Sequence, residues 1–245
     1  MKLKNNADNK YKNIVRTFHM KYYETSYEEY LNALDRYNMN EKSSLYKKQF
    51  PRNVEQFENL IIYGAVGSGK YSQTLYFLKQ YSPSGLKYEK KMTVQNEKQN
   101  YTFHISDIHY EIDMSLLGCN SKTIWTDLFS QIVDIVSVKQ KKIGIIICKN
   151  FHMIHTELLD IFYSYIQQYN SKHENIMLRF VLITEHISFM PTKLLQSCEV
   201  IPIAKPCAQV LETMIQTERN PIKTTFPQRI LKRESRINRK LFSHI

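Results

Sequence analysis

Apolar and polar residues alternate along this chain in blocks that predict strands and helices in turn. Four apolar segments occupy residues 60–63, 143–148, 178–184 and 199–206. Stretches with helical spacing cover residues 70–81, 123–136 and 155–169, and an alternating stretch at 90–114 suits two further strands. A strand that is apolar at every position is typical of a parallel sheet covered by helices on both faces. The pattern therefore predicts an α/β domain with three layers and a parallel sheet.

Polar and basic segments flank this domain on both sides. Residues 1–50 predict a basic N-terminal arm and one helix, at whose start Ser26 and Glu29 form a capping box. Residues 206–245 predict a small lid of two helices rich in Lys and Arg. We therefore expect three parts: the arm, the α/β domain at 51–205, and the lid.

The composition indicates one large folded domain with an anionic partner. Of 245 residues, 42% are hydrophobic, which is enough to bury a core and excludes a disordered chain. Lys and Arg number 34 against 23 Asp and Glu, and the resulting formal charge of +11 favours nucleic acid as a partner. The alternative explanation for part of the same charge is coding from an AT-rich genome, which enriches Lys, Asn and Ile.

The cysteines and the N-terminus bear on where the protein works. Cys119, Cys148, Cys198 and Cys207 lie far apart and follow neither a zinc nor a disulfide pattern. The polar N-terminus lacks an apolar signal region, and no apolar run approaches the roughly 18 residues that span a bilayer. We expect an intracellular protein with reduced thiols, no bound metal and no membrane contact.

A glycine-rich loop follows the first apolar segment and opens a helix. Its sequence matches the phosphate-binding pattern GxxxxGK[ST] in all but the last position, and its residues are Gly64, Ala65, Val66, Gly67, Ser68, Gly69, Lys70 and Tyr71. Glycines let successive backbone amides turn towards phosphate oxygens, the lysine adds a charge, and the helix adds its positive end. We expect these eight residues to bind ATP or ADP. The alternative is a relic loop that keeps its fold and binds nothing.

Two positions disfavour Mg²⁺ binding, and we predict no catalytic residue from the sequence. Tyr71 stands where a Ser or Thr hydroxyl ordinarily binds the metal. The buried strand that should end in an acid ends instead in Lys149, with no acid until Glu157. A lysine at that place opposes both metal binding and water activation. His152 is a weak alternative as a base.

Five blocks in order resemble the small subunits of the replication factor C clamp loader, within the AAA+ ATPases. They span residues 58–73, 109–134, 145–169, 178–203 and 226–242. The resemblance implies a P-loop AAA+ α/β domain followed by a helical lid, and the family's collar domain would begin where this sequence stops. AT-rich coding and degeneracy suggest a divergent homologue, with a large DNA virus as the hypothetical source.

The resemblance also implies roles for single residues. Arg239 matches the lid arginine that reaches the γ-phosphate, while Thr184 or Glu185 stands where the family has a polar sensor. Ser197 replaces the arginine that acts on the neighbouring subunit's nucleotide, a residue worth up to about 10³–10⁵ in rate where it is used. The expected protein therefore binds ATP and is not an active ATPase on its own.

The implied function is support of DNA replication by helping to load a sliding clamp on primed DNA. The expected partners are other clamp-loader AAA+ subunits, a sliding clamp and the DNA backbone, in the nucleus or a viral replication compartment. DNA contacts are expected from the basic residues of the lid, namely Lys232, Arg233, Arg236 and Lys240.

Two alternatives of other classes stay open. The first is an active P-loop enzyme, either a DNA-dependent ATPase or a small-molecule kinase, with a rearranged metal site. It requires an acid near Lys70, for which Asp107 and Asp113 are the candidates. The second is an interaction scaffold that has lost nucleotide altogether.

Overall fold

The computed structural model of the chain describes residues 26–40, 42–95, 100–170 and 176–212. Its helices are α1 (Ser26–Arg36), α2 (Ser43–Gln49), α3 (Lys70–Leu78), α4 (Ser121–Ser137), α5 (Thr156–Asn170) and α6 (Thr192–Gln196). Its strands are β1 (Leu60–Tyr63), β2 (Lys90–Gln95), β3 (Asn100–Ile105), β4 (His109–Asp113), β5 (Ile143–Lys149), β6 (Met177–Thr184) and β7 (Glu199–Pro202).

The seven strands form one sheet in the order β2-β3-β4-β5-β6-β1-β7. The five strands from β4 to β7 in that order pair in parallel, while β2, β3 and β4 pair antiparallel. The carboxyl ends of β1, β4, β5, β6 and β7 therefore meet at one edge of the sheet. In open parallel sheets this edge is where ligands bind.

Helices cover both faces of the sheet, so alternate residues of each inner strand are buried on opposite sides. Ile61, Ile146 and Phe180 belong to one core, which includes residues of α4 and α5. Leu60 and Ile147 belong to the other, which includes residues of α1 and α3. The predicted fold class, a three-layer α/β domain with a parallel sheet and a P-loop, is thereby confirmed.

Two local predictions need correction. The alternating stretch at 90–114 forms three strands and not two, because the short turn between Ile105 and His109 separates β3 from β4. A second helix, α2, follows the one predicted near the N-terminus. Helix α1 packs on the domain: Tyr27 and Leu31 are buried in the same core as β1.

Contacts divide the chain into residues 1–206 and residues 207–245. Only 207–212 of the second unit are described, so the predicted lid lies almost wholly outside the described residues. Within the described ranges, no helix combines the length and the apolar character needed to cross a bilayer.

Trp125 on α4 provides a test of the core on the α4–α5 face. Its fully buried ring contacts Phe129, Phe162 and Tyr165. We expect Trp125→Ala to lower the free energy of unfolding by about 3–5 kcal/mol, because the lost ring leaves a cavity. Urea unfolding followed by far-UV circular dichroism measures this. The control is Val138→Ala, at a side chain that is 84% exposed, and an equal loss in both variants would contradict the assigned core.

Candidate functional site

The glycine-rich loop joins the end of β1 to the start of α3. Gly67 and Gly69 have φ angles of 73° and 84°, in the left-handed region that favours glycine. Position 64 requires glycine for a different reason: there is no room for a side chain, since a Cβ there would lie 2.2 Å from the carbonyl oxygen of Ile203. The sequence pattern thus corresponds to three separate backbone constraints. Val66, at the tip of the loop, is 70% exposed.

The side chain of Lys70 lies against its own loop. Its Nζ donates to the carbonyl oxygens of Gly64 at 2.7 Å and Ala65 at 2.9 Å. Partial burial lowers the pKa of this ammonium, and the charge of Glu185 opposes that shift. A phosphate oxygen would compete with two carbonyl oxygens for the same donors.

The segment before α2 is tied to the loop and its helix. Asn40 Nδ2 donates to the carbonyl oxygen of Ser68 at 3.2 Å, and Gln73 Nε2 donates to Asn38 Oδ1 at 2.8 Å. The first turn of α3 contains no acidic residue, so no side-chain carboxylate offsets the positive end of the helix there. These contacts hold the loop and the positive end of α3 in one arrangement.

Tyr71 points away from the loop towards the middle of β4. Its hydroxyl donates to Glu111 Oε1 at 2.7 Å, and the Glu111 side chain is 1% exposed. Lys149 Nζ lies 3.1 Å from Glu111 Oε2, and His109 Nε2 lies 3.2 Å from Oε1. We call these four residues, Tyr71, His109, Glu111 and Lys149, the Glu111 network.

The Glu111 network keeps its carboxylate ionised inside the domain. Burial raises the pKa of Glu111, but His109, Lys149 and Tyr71 together outweigh it and bring that pKa down to about 2. Burial and the adjacent Glu111 raise the pKa of the Tyr71 phenol, so the phenol stays neutral and acts as a donor. An isolated buried carboxylate would be costly, and these donors offset that cost.

Helix α1 covers the Glu111 network with two aromatic rings. Tyr27 lies 5.0 Å from the ring of His109, and Tyr30 contacts Tyr71 edge-on at 5.0 Å between centroids. The start of α1 is anchored because both the backbone N and Oγ of Ser26 donate to Glu89. The N-terminal helix therefore covers the part of the network formed by His109 and Tyr71.

The residues at the expected metal position do not fit Mg²⁺. A neutral phenol and an ammonium occupy the places of the hydroxyl and the acid, and both oxygens of Glu111 already accept hydrogen bonds. Magnesium prefers oxygen ligands and keeps several waters. In the described ranges, no three His, Cys, Asp or Glu side chains are grouped to hold a metal ion.

The acid that contacts the helix of the loop is Glu111, which is not among the acids predicted from the sequence. Asp107 accepts from Ser82, and Asp113 accepts from Asn150, so the two candidate acids are engaged elsewhere. The sequence pattern carried no clear signal for Glu111, because His109, Glu111 and Asp113 alternate with Tyr110 and Ile112, and such alternation predicts that the polar residues face solvent, whereas Glu111 is buried.

The other positions named by the resemblance have ordinary local contacts. Thr184 Oγ1 donates to the carbonyl oxygen of His186 at 2.8 Å, and Ser197 Oγ donates to that of Leu194 at 2.8 Å. Glu185 Oε1 lies 3.5 Å from His152 Nε2. The remaining predicted site residues, Lys232, Arg233, Arg236, Arg239 and Lys240, lie outside the described residues.

No protein-family model and no curated protein sequence matches the chain. Among solved structures, a RuvB variant from Thermotoga maritima is 11% identical with a TM-score of 0.43, the match covering 71% of this chain and 46% of that one. Aeropyrum pernix ORC1 in complex with DNA is 14% identical, with a TM-score of 0.45 and coverages of 83% and 52%.

The HORMA:CdnC:Trip13 complex of E. coli MS115-1 has a TM-score of 0.47 at 11% identity, and the match covers 82% of this chain and 70% of that one. The chain spans about half the length of the RuvB and ORC1 chains that it matches. The fold class itself rests on the chain's own sheet order and phosphate loop, and these likenesses carry no argument about activity or partners.

Replacing Glu111 tests whether the Glu111 network stabilises the domain. Lowering a carboxyl pKa from 4.5 to about 2 on folding corresponds to roughly 3 kcal/mol at neutral pH. We expect Glu111→Gln to lose stability of that order in urea unfolding. The matched control is Asp35→Asn, which removes an exposed pair with Lys79 and should cost under about 1 kcal/mol.

The stability difference between the wild type and Glu111→Gln is expected to depend on pH. Because folding lowers the pKa of Glu111, its contribution is complete above the unfolded value of 4.5 and is lost as pH falls towards about 2. The stability difference between the wild type and Glu111→Gln should shrink as the pH is lowered through this range. A difference independent of pH would contradict an ionised Glu111.

Proposed function

We propose that the protein is a nucleotide-binding, non-hydrolysing AAA+ subunit of a clamp-loader-like assembly. The observation that carries this proposal is the pairing of a well-formed phosphate loop with the Glu111 network. The loop keeps the positive-φ glycines and the lysine that phosphate binding needs. The positions that metal-dependent hydrolysis needs are filled by Tyr71 and Lys149, which bond to Glu111.

The proposed absence of hydrolysis follows from charge. Phosphoryl transfer is accelerated by a metal bridging the β- and γ-phosphates and by a residue that orients the attacking water. Lys149 is a donor without acceptor capacity, and Tyr71 remains protonated. Ser197, in place of the arginine that would act on a neighbouring subunit, lacks the charge for that role.

The clamp-loader part of the proposal rests on the order of the five sequence blocks and on the charge of +11. Lys and Arg neutralise DNA phosphates without reading sequence, which suits a protein that acts on any primed duplex. Within such an assembly, hydrolysis would be carried out by sister subunits, and this chain would contribute a bound nucleotide and a contact surface.

Nucleotide binding is tested by thermal unfolding of the purified chain with ATP or ADP. A ligand that binds only the folded state stabilises it, by about 2.7 kcal/mol at a hundredfold excess over Kd. We expect the Tm to rise with either nucleotide, with no phosphate release from ATP. Lys70→Ala should abolish the rise, and Lys141→Ala, at an exposed lysine of the turn before β5, should leave it unchanged.

A Tm that changes with neither nucleotide would contradict nucleotide binding and favour the scaffold alternative. Turnover of ATP that is lost in Lys70→Ala would contradict the absence of hydrolysis and favour an active P-loop enzyme.

The clamp-loader role is tested by affinity purification of the tagged protein from its own cells at low and high salt. We expect AAA+ clamp-loader relatives and a sliding clamp in both eluates, and DNA only at low salt, because phosphate contacts weaken steeply with salt. Replacing Lys232, Arg233, Arg236 and Lys240 by Ala should remove the DNA and keep the proteins. Recovery of neither clamp nor clamp-loader relatives would contradict this role.

A further inference from the structure

We propose that the phosphate site works without a divalent cation, with the ammonium of Lys149 supplying the positive charge that Mg²⁺ supplies in related sites. This inference rests on the nucleotide binding proposed above and concerns the chemistry of the same site. It explains why the loop keeps its form while the residues around the metal position are changed together.

The first argument is position. Lys149 is the last residue of β5, opposite Asp113 in the neighbouring strand, at the edge of the sheet where the phosphate loop also lies. Its Nζ is 5.2 Å from the centre of the Tyr71 ring, and Tyr71 is in the first turn of α3, next to Lys70. The ammonium therefore lies beside the side chain of a residue in the first turn of α3, the turn that faces the phosphates in a loop of this kind.

The second argument is the alternation of side chains along β5. Ile145 and Ile147 are buried in the core beneath α3, and Lys149 follows them with the same period of two. The strand thus directs this lysine to the face that carries the loop's helix. A lysine on the opposite face would meet α4 and α5 and could not serve the site.

The third argument is the hydrogen-bonding capacity of the ammonium. Lys149 carries three donors, one of which Glu111 accepts at 3.1 Å. The Lys149 side chain is 29% exposed, whereas that of Glu111 is 1% exposed. The carboxylate is therefore closed to a solvent-borne cation, while the Lys149 side chain is partly accessible from solvent.

The fourth argument is charge balance. Glu111 is matched by Lys149, and Tyr71 stays neutral, so the network presents no free negative charge to a metal. Lys70 adds a second ammonium to the site. A divalent cation would find no open carboxylate among the four residues of the network, whereas a phosphate would find N–H donors on both Lys149 and Lys70.

The deciding experiment is calorimetric titration of the purified chain with ATP, once in EDTA and once in excess MgCl₂. We expect the two dissociation constants to agree within about threefold. Tightening by Mg²⁺ of about tenfold or more would overturn the inference while leaving nucleotide binding intact. An absence of binding in both buffers, with no Tm response, would overturn the proposed function and this inference with it.

Two variants make the test specific to Lys149. Lys149→Met keeps the length of the side chain and removes its charge, so affinity in EDTA should fall by about tenfold. Lys141→Met makes the same change at an exposed lysine beyond the opposite end of β5 and should bind as the wild type does. Equal affinities in all three proteins would overturn the role of Lys149.

Restoring the metal side chains provides a converse test. The double variant Tyr71→Ser with Lys149→Asp should acquire tightening by Mg²⁺, because it supplies the oxygen ligands that the site lacks. Circular dichroism and the Tm without nucleotide establish that each variant is folded. If either variant is unfolded, the comparison of EDTA and MgCl₂ in the wild-type protein still decides whether the site requires a divalent cation.

Discussion

The ionised carboxylate of Glu111, buried within β4, is the constraint on which the candidate site depends. A carboxylate removed from water is tolerated only when donors surround it, and here the donors come from separate parts of the chain. Tyr71 comes from the helix of the loop, Lys149 from the end of β5, and His109 from the same strand as Glu111. One buried charge thus ties the phosphate loop to the strand that would otherwise carry the metal-side acid.

This arrangement separates the shape of a phosphate loop from the chemistry of hydrolysis. The shape depends on backbone constraints, namely the positive φ angles of Gly67 and Gly69 and the close approach of Gly64 to Ile203. Hydrolysis depends on side chains that hold a metal and a water. The backbone constraints can therefore persist when the metal-binding side chains are replaced by residues that form an internal ion pair.

The N-terminal helix takes part in the same constraint. Tyr27 and Tyr30 place aromatic rings over His109 and Tyr71, and Glu89 anchors the start of the helix at Ser26. A low-polarity cover strengthens the electrostatic interactions beneath it. The stability of the Glu111 network and the packing of α1 on the domain are therefore coupled.

The sequence by itself determined the α/β class, the main strands and the position of the loop, because periodic burial and glycine-rich turns are local signals. It also indicated, through Tyr71 and Lys149, that the metal position was altered. The role of Glu111 was decided only by the tertiary structure, in which single hydrogen bonds join Glu111 to residues up to 40 positions away along the chain. Neither strand spacing nor composition determines which donors contact a given carboxylate. Those contacts depend on the order of the strands in the sheet and on the face to which each side chain points.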